Sequence, residues 1–166
     1  ITPMAIYRHF ENKDALVDAL VQDALDEWSA IVAALPAAEG IAKLEQLTEA
    51  FLDFALRAPR RFEAAFLLPS RTARRYPDDF AAGRSPAGNV QLRALEAGIR
   101  QGELAGAPPV EMMLINSALS QGLVTLYRAG RIAGGRDSSA ALAASGSCSR
   151  QVCITPESVL SRSFSF

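Results

Sequence analysis

Ile1-Thr2-Pro3-Met4-Ala5-Ile6-Tyr7-Arg8-His9-Phe10, followed by Glu11-Asn12-Lys13-Asp14-Ala15-Leu16, is the most informative run in this chain. Its residue types spell a helix of about two turns, a tight turn and the start of a longer helix. Thr2 is an N-cap whose hydroxyl accepts from an orphan amide of the first turn. Pro3 suits the first helical position, where its missing N–H costs nothing. At 100° per residue, Ile6 and Phe10 share a side with Thr2, and His9 lies at its margin. Met4 and Arg8 point the opposite way, flanked by Ala5 and Tyr7. The short helix therefore buries Ile6 and Phe10 and presents a compact face of mixed chemistry. Asn12 caps the next helix and puts Lys13 at its first position, where the helix dipole prefers an anion. A cation set against the dipole points to an external negative partner.

Outward from this run the chain reads as a series of helices. Leu16, Leu20, Ala24, Trp28, Ile31 and Leu35 recur at steps of four and three, widened by Val17, Val21, Leu25 and Val32. That spacing predicts a helix from Lys13 to about Leu35, ended by Pro36. A second is expected from about Ile41 to Ala58, with Leu44, Leu47, Phe51, Phe54 and Ala58 inward. Pro59 restarts the chain, and Arg60 to Leu68 forms a short third helix with Phe62 and Phe66 one turn apart. Residues 69–85 read as a long loop carrying Arg71, Arg74, Arg75, Arg84 and Tyr76. Its Asp78 and Asp79 favour a solvated connection over a nucleic-acid surface. Ser85-Pro86 repeats the cap-plus-proline start and opens a helix to about Gln101, stopped by Gly102. The most apolar helix follows Pro108-Pro109, from Val110 to about Ile132. Asn116, Ser117, Ser120 and Gly122 along it allow close approach of another helix. Beyond Gly134-Gly135 the periodicity stops, and residues 136–166 are Ser-rich. Disorder and a shifted reading frame both account for such a tail.

Composition excludes more than it selects. The 166 residues are 49% hydrophobic with a net charge of −1, so a core is available but no basic field is. Any DNA contact must come from local chemistry. His9 is the single histidine, which leaves no Ser–His or Cys–His pair for nucleophilic catalysis in the helical body. No His-x-x-x-His or Glu-x-x-His metal spacing occurs, and no phosphate-binding glycine loop. Cys148 and Cys153, with no histidine nearby, do not make a zinc site and are expected as free thiols. Neither an enzyme, a cofactor nor a bound metal is expected. No apolar run approaches a membrane span, so a cytoplasmic protein with no membrane partner is expected.

The run T-P-M-A-I-Y-R-H-F-E-N-K-D-A-L resembles the recognition helix, turn and following helix of the TetR family of bacterial transcriptional regulators. Thr2, Ile6, Tyr7, His9, Phe10, Lys13 and Leu16 carry the resemblance at their spacing. Gly122 to Arg131 is similar to a helix that contributes to the dimer interface in that family. The resemblance implies an all-α protein in three parts. Residues 1–30 would be a partial helix-turn-helix DNA-binding domain, 31–135 a helical-bundle domain for ligand binding and dimerisation, and 136–166 a low-complexity tail. It implies a ligand-responsive regulator, most often a repressor, that binds double-stranded operator DNA as a homodimer. Pro3, Met4, Ala5 and Arg8 would lie nearest the bases, with Arg8 able to read guanine through two hydrogen bonds. Thr2, Tyr7, His9 and Lys13 would touch phosphates. A small apolar effector would enter the helical body among Phe54, Phe62, Phe66, Met113, Asn116, Ser120 and Tyr127. The family places two further helices before the recognition helix, so an N-terminally truncated chain is expected. The alternative is then a ligand-binding and dimerisation module without DNA-binding activity.

Overall fold

Asn12 acts as the cap its position calls for: its Oδ1 accepts from the Ala15 N–H at 2.9 Å. Helix α1 (Lys13–Ala33) runs on from it. The structure, a computed structural model, describes residues 10–105 and 107–132. Five more helices follow: α2 (Gly40–Arg57), α3 (Pro59–Phe66), α4 (Asp78–Ala81), α5 (Pro86–Arg100) and α6 (Pro109–Arg128). No strand occurs among the described residues, and the fold is all-α.

The helix starts follow local chemistry. Pro59, Pro86 and Pro109 each stand in a first turn. Ser85 Oγ accepts from the Gly88 N–H at 3.2 Å, capping α5. The ends come earlier than the apolar spacing predicts, because capping and not periodicity terminates a helix. Helix α6 stops at Arg128, where Gly130 takes φ +65° and the Arg131 N–H returns to the Leu126 carbonyl at 2.9 Å. Within the expected 69–85 loop, Asp78–Ala81 forms the short α4.

Helix α1 packs on α2, α3 and α5. With three neighbours its buried face is broader than one stripe. Val21, Ala24, Trp28 and Val32 are buried, while Leu20, expected inward, is 46% exposed. Trp28 and Val32 meet Leu47, Leu52, Phe54 and Ala55 of α2, Phe62 of α3 and Val124 of α6 in the main core. Five rings knit it together. The Trp28 and Phe54 rings stack with centroids 5.9 Å apart, and Phe62 lies 5.1 Å from both Phe51 and Phe66. A second cluster joins Leu95, Leu104, Met112 and Met113 at the other end of the bundle.

Helices α2 and α5 run antiparallel, since the end of α5 at Gly98 meets the start of α2 at Gly40, while Ala87 and Val90 at the start of α5 pack against the main core that α2 enters through Leu47, Leu52 and Phe54. A Cβ on Gly98 would stand 2.8 Å from Leu104 Cδ1, so a larger residue there would require the buried Leu104 side chain to shift, while Gly40 Cα lies at ordinary contact distance, 3.6 Å. Gly40 itself has φ +56°. The α2 N-cap, Glu39, makes no side-chain cap bond; Glu103 does so from across the junction, its Oε2 accepting from the Ile41 N–H at 2.9 Å.

Candidate functional site

A cavity of about 310 Å³ opens between α1, α2, α5, α6 and the segment that links α3 to α5. That volume is at the lower end of ordinary small-molecule sites. Helix α1 supplies Val21, Leu25 and Trp28 to its wall, and α2 supplies Leu47, Thr48 and Phe51. The linking segment adds Arg74, Tyr76 and Phe80, and α5 contributes its first turn from Pro86 to Gly88. Met113, Asn116, Ser117 and Ser120 line it from α6. Ala87, Ser117 and Ser120 on the facing helices carry too little side chain to fill it. Thr48, buried there, satisfies its hydroxyl on the Leu44 carbonyl at 2.9 Å.

The linking segment is tied back to α1 by Asp18. Ser70 Oγ donates to Asp18 Oδ1 at 2.8 Å, and the Arg71 N–H donates to the same oxygen at 3.1 Å. Arg71 Nε and Nη2 reach Oδ2 at 3.1 and 2.9 Å. The Ser70 hydroxyl above all, with Arg71, holds the Asp18 carboxyl below the usual carboxylate range, outweighing the desolvation that pushes it up. A depressed carboxylate pKa means the tie is complete above the unfolded value, about 3.9, and is lost as pH falls through the lower folded one. Protection of the Arg71 amide against hydrogen exchange, corrected for intrinsic rate, should hold from neutrality to about pH 4 and fall below it. Asp18→Ala, which removes the acceptor oxygens, should lack that protection at every pH.

Two arginines of the segment are held in ion pairs. Arg71 pairs with Asp18, and Arg84 with Asp79. The Arg75 N–H also donates to Asp79 and is the main reason that carboxyl is held below its usual range. Arg74 Nε donates to the Arg84 carbonyl at 2.7 Å. On the outer side of α3, Arg61 pairs with Asp23 and Glu27 of α1, and Glu63 with Arg128 of α6.

Of the effector candidates, Phe66, Met113, Asn116 and Ser120 stand on the cavity wall. Phe54 and Phe62 do not: at 4% and 0% exposure they lie inside the ring cluster, where packing partners surround them. Tyr127, half-buried near the far end of α6, is also off the wall. Trp28, Phe51, Arg74, Tyr76 and Phe80 line the cavity without having been singled out for it. Lys13 is exposed at the first position of α1. Thr2, Pro3, Met4, Ala5, Tyr7, Arg8 and His9 lie outside the described residues, as does the 136–166 tail.

On the far side of α6 an apolar stripe faces outward. Ile115 and Leu126 are exposed large side chains, with Ala118 and Gly122 exposed between them. A Cβ added at Gly122 would meet nothing within 4 Å. Among the described residues no cluster of His, Cys, Asp or Glu could hold a metal ion. No helix among them is long and apolar enough to cross a membrane.

Residues 44–145 match the family described as tetracyclin repressor-like, C-terminal domain. A solved structure titled as a protein with unknown function from Rhodococcus sp. RHA1 shares the fold, with a TM-score of 0.70 and 18% identity. The likeness covers 93% of this chain and 80% of that one. No curated protein matches the chain in sequence.

Proposed function

This chain belongs to the tetracyclin repressor-like (TetR) family of ligand-responsive transcriptional regulators, and from that premise we propose that it is a cytoplasmic, DNA-binding repressor. Its effector occupies the cavity beside Trp28. The observation that carries this is the double role of α1. The same helix contributes Val21, Leu25 and Trp28 to the cavity wall and begins at Asn12-Lys13, directly after the segment that resembles a recognition helix. An occupant that displaces α1 shifts the DNA-reading segment with it. Two copies joined through the outward stripe of α6 would present two such segments to half-sites one helical turn apart.

The test uses the gene product with any coding sequence upstream of Ile1 included. Selection from a random duplex library should enrich an inverted repeat. Arg8→Ala should relax preference at one base step, at about 1–3 kcal/mol. Lys13→Ala should weaken binding to every sequence and flatten its salt dependence by about one charge. No enrichment, or the same uniform loss from both substitutions, overturns the assignment.

A further inference from the structure

Among the described residues, the cavity wall bears one formal charge. Trp28, Phe51, Phe66, Tyr76 and Phe80 give it an aromatic lining, and its polar positions are neutral hydroxyls and amides such as Ser117, Ser120 and Gln121. Arg74 is the exception, and no aspartate or glutamate stands beside it on the wall. Its neighbours in the segment, Arg71, Arg75 and Arg84, are exposed to solvent, whereas Arg74 is half-buried. Its Nε is fixed on the Arg84 carbonyl, which orients the guanidinium while leaving its charge uncancelled. Arg74 forms no ion pair among the described residues. It feels Asp79 at longer range, but that carboxylate is already taken up by Arg84 and the Arg75 N–H.

A half-buried, oriented guanidinium with no internal counter-charge, set in an aromatic cavity, is suited to an anion that carries its own apolar body. The small volume favours a single compact head. We propose that the cavity binds a small organic carboxylate, its aromatic or branched apolar part against Trp28, Phe51 and Phe66 and its carboxylate on Arg74. The proposal deepens the effector reading above and rests on it. A carboxylate here also acts on the segment that Asp18 ties to α1, because Arg74 lies three residues from Arg71.

Trp28 is the single tryptophan of the chain and lies on the cavity wall, so its fluorescence reports occupancy directly. The matched probes are 4-phenylbutyrate and 4-phenylbutanamide, alike in shape and different in charge. The acid should bind about tenfold more tightly than the amide, and added salt should narrow the gap. Arg74→Gln should bring the acid down to the amide's affinity and leave the amide unchanged; Arg74→Lys should keep part of the preference. Equal binding of the two probes by the unsubstituted chain overturns the carboxylate assignment and leaves the cavity standing. So does a preference that survives Arg74→Gln. If neither probe alters Trp28 emission at millimolar concentration, the effector cavity falls and the carboxylate with it.

Discussion

Ile115→Glu is expected to turn a homodimer into a monomer, raising its dissociation constant by about a hundredfold or more. Ile115 is 46% exposed on α6, on one side with Ala118, Gly122 and Leu126. Soluble monomers seldom leave a continuous apolar stripe open to water. A two-fold axis laid against it sets the same stripe against itself, with Ala118 and Gly122 letting the backbones approach closely. Glutamate there buries an unpaired carboxylate from each protomer, at about 3–5 kcal/mol, or two to three decades in affinity. Within the protomer the position is open, so the substitution should move the melting temperature of the monomeric fold little. Leu119, half-buried on the same helix, would confound the two effects. Light scattering alongside thermal unfolding checks the expectation. An unsubstituted chain that is already a monodisperse monomer would show that the stripe has another purpose.

Phe62→Ala should be the most damaging single truncation inside the protomer, at about 3–5 kcal/mol. Phe62 is wholly buried, with Phe51 and Phe66 rings 5.1 Å away and Phe54 at 6.5 Å. It is the residue that fastens the eight-residue α3 to the core. The outer pairs, Arg61 with Glu27 and Glu63 with Arg128, lie in solvent and are too screened to replace it. Against a domain stability of about 5–15 kcal/mol the loss is severe. Urea unfolding should show a lower midpoint with an unchanged slope. Phe66→Ala, at a half-buried position on the cavity wall, should cost clearly less. A Phe62→Ala loss no larger than that of Phe66→Ala would mean the ring cluster is not the mainstay of α3.

The features legible from the amino-acid order were those whose causes are local. Asn12 and Ser85 cap the helices that their side chains announce, because an N-cap bond spans three residues. The prolines at 59, 86 and 109 fall where the chain restarts for the same reason. Contacts made across long separations left no such trace. Glu103 caps α2 from sixty-two residues away, and nothing around Ile41 hints at it. Helical spacing said that Phe54, Phe62 and Phe66 turn inward, and they do. Spacing cannot distinguish a ring packed on all sides from one that borders a void, so Phe66 and its two neighbours read alike. Arg74 sits in a segment with no period at all. Only the fold shows that Asp18 and Asp79 pair with Arg71 and Arg84 and that Arg74 stands on the cavity wall.

The Gly40–Gly98 contact has a mechanical consequence. Helices α2 and α5 behave as the two tines of a fork whose root is closed by glycine-to-glycine approach and by the Glu103 bond to Ile41. The cavity lies between the middle of α2 and the opposite end of α5, at Pro86–Gly88. Spreading the tines at their root would open this close approach and break the Glu103 bond to Ile41, so any widening is concentrated at the open end. That end adjoins the segment that Asp18 ties to α1. A small change of volume inside the cavity therefore becomes a larger swing at its mouth, directed toward α1, the helix through which the proposed DNA-binding segment would be moved.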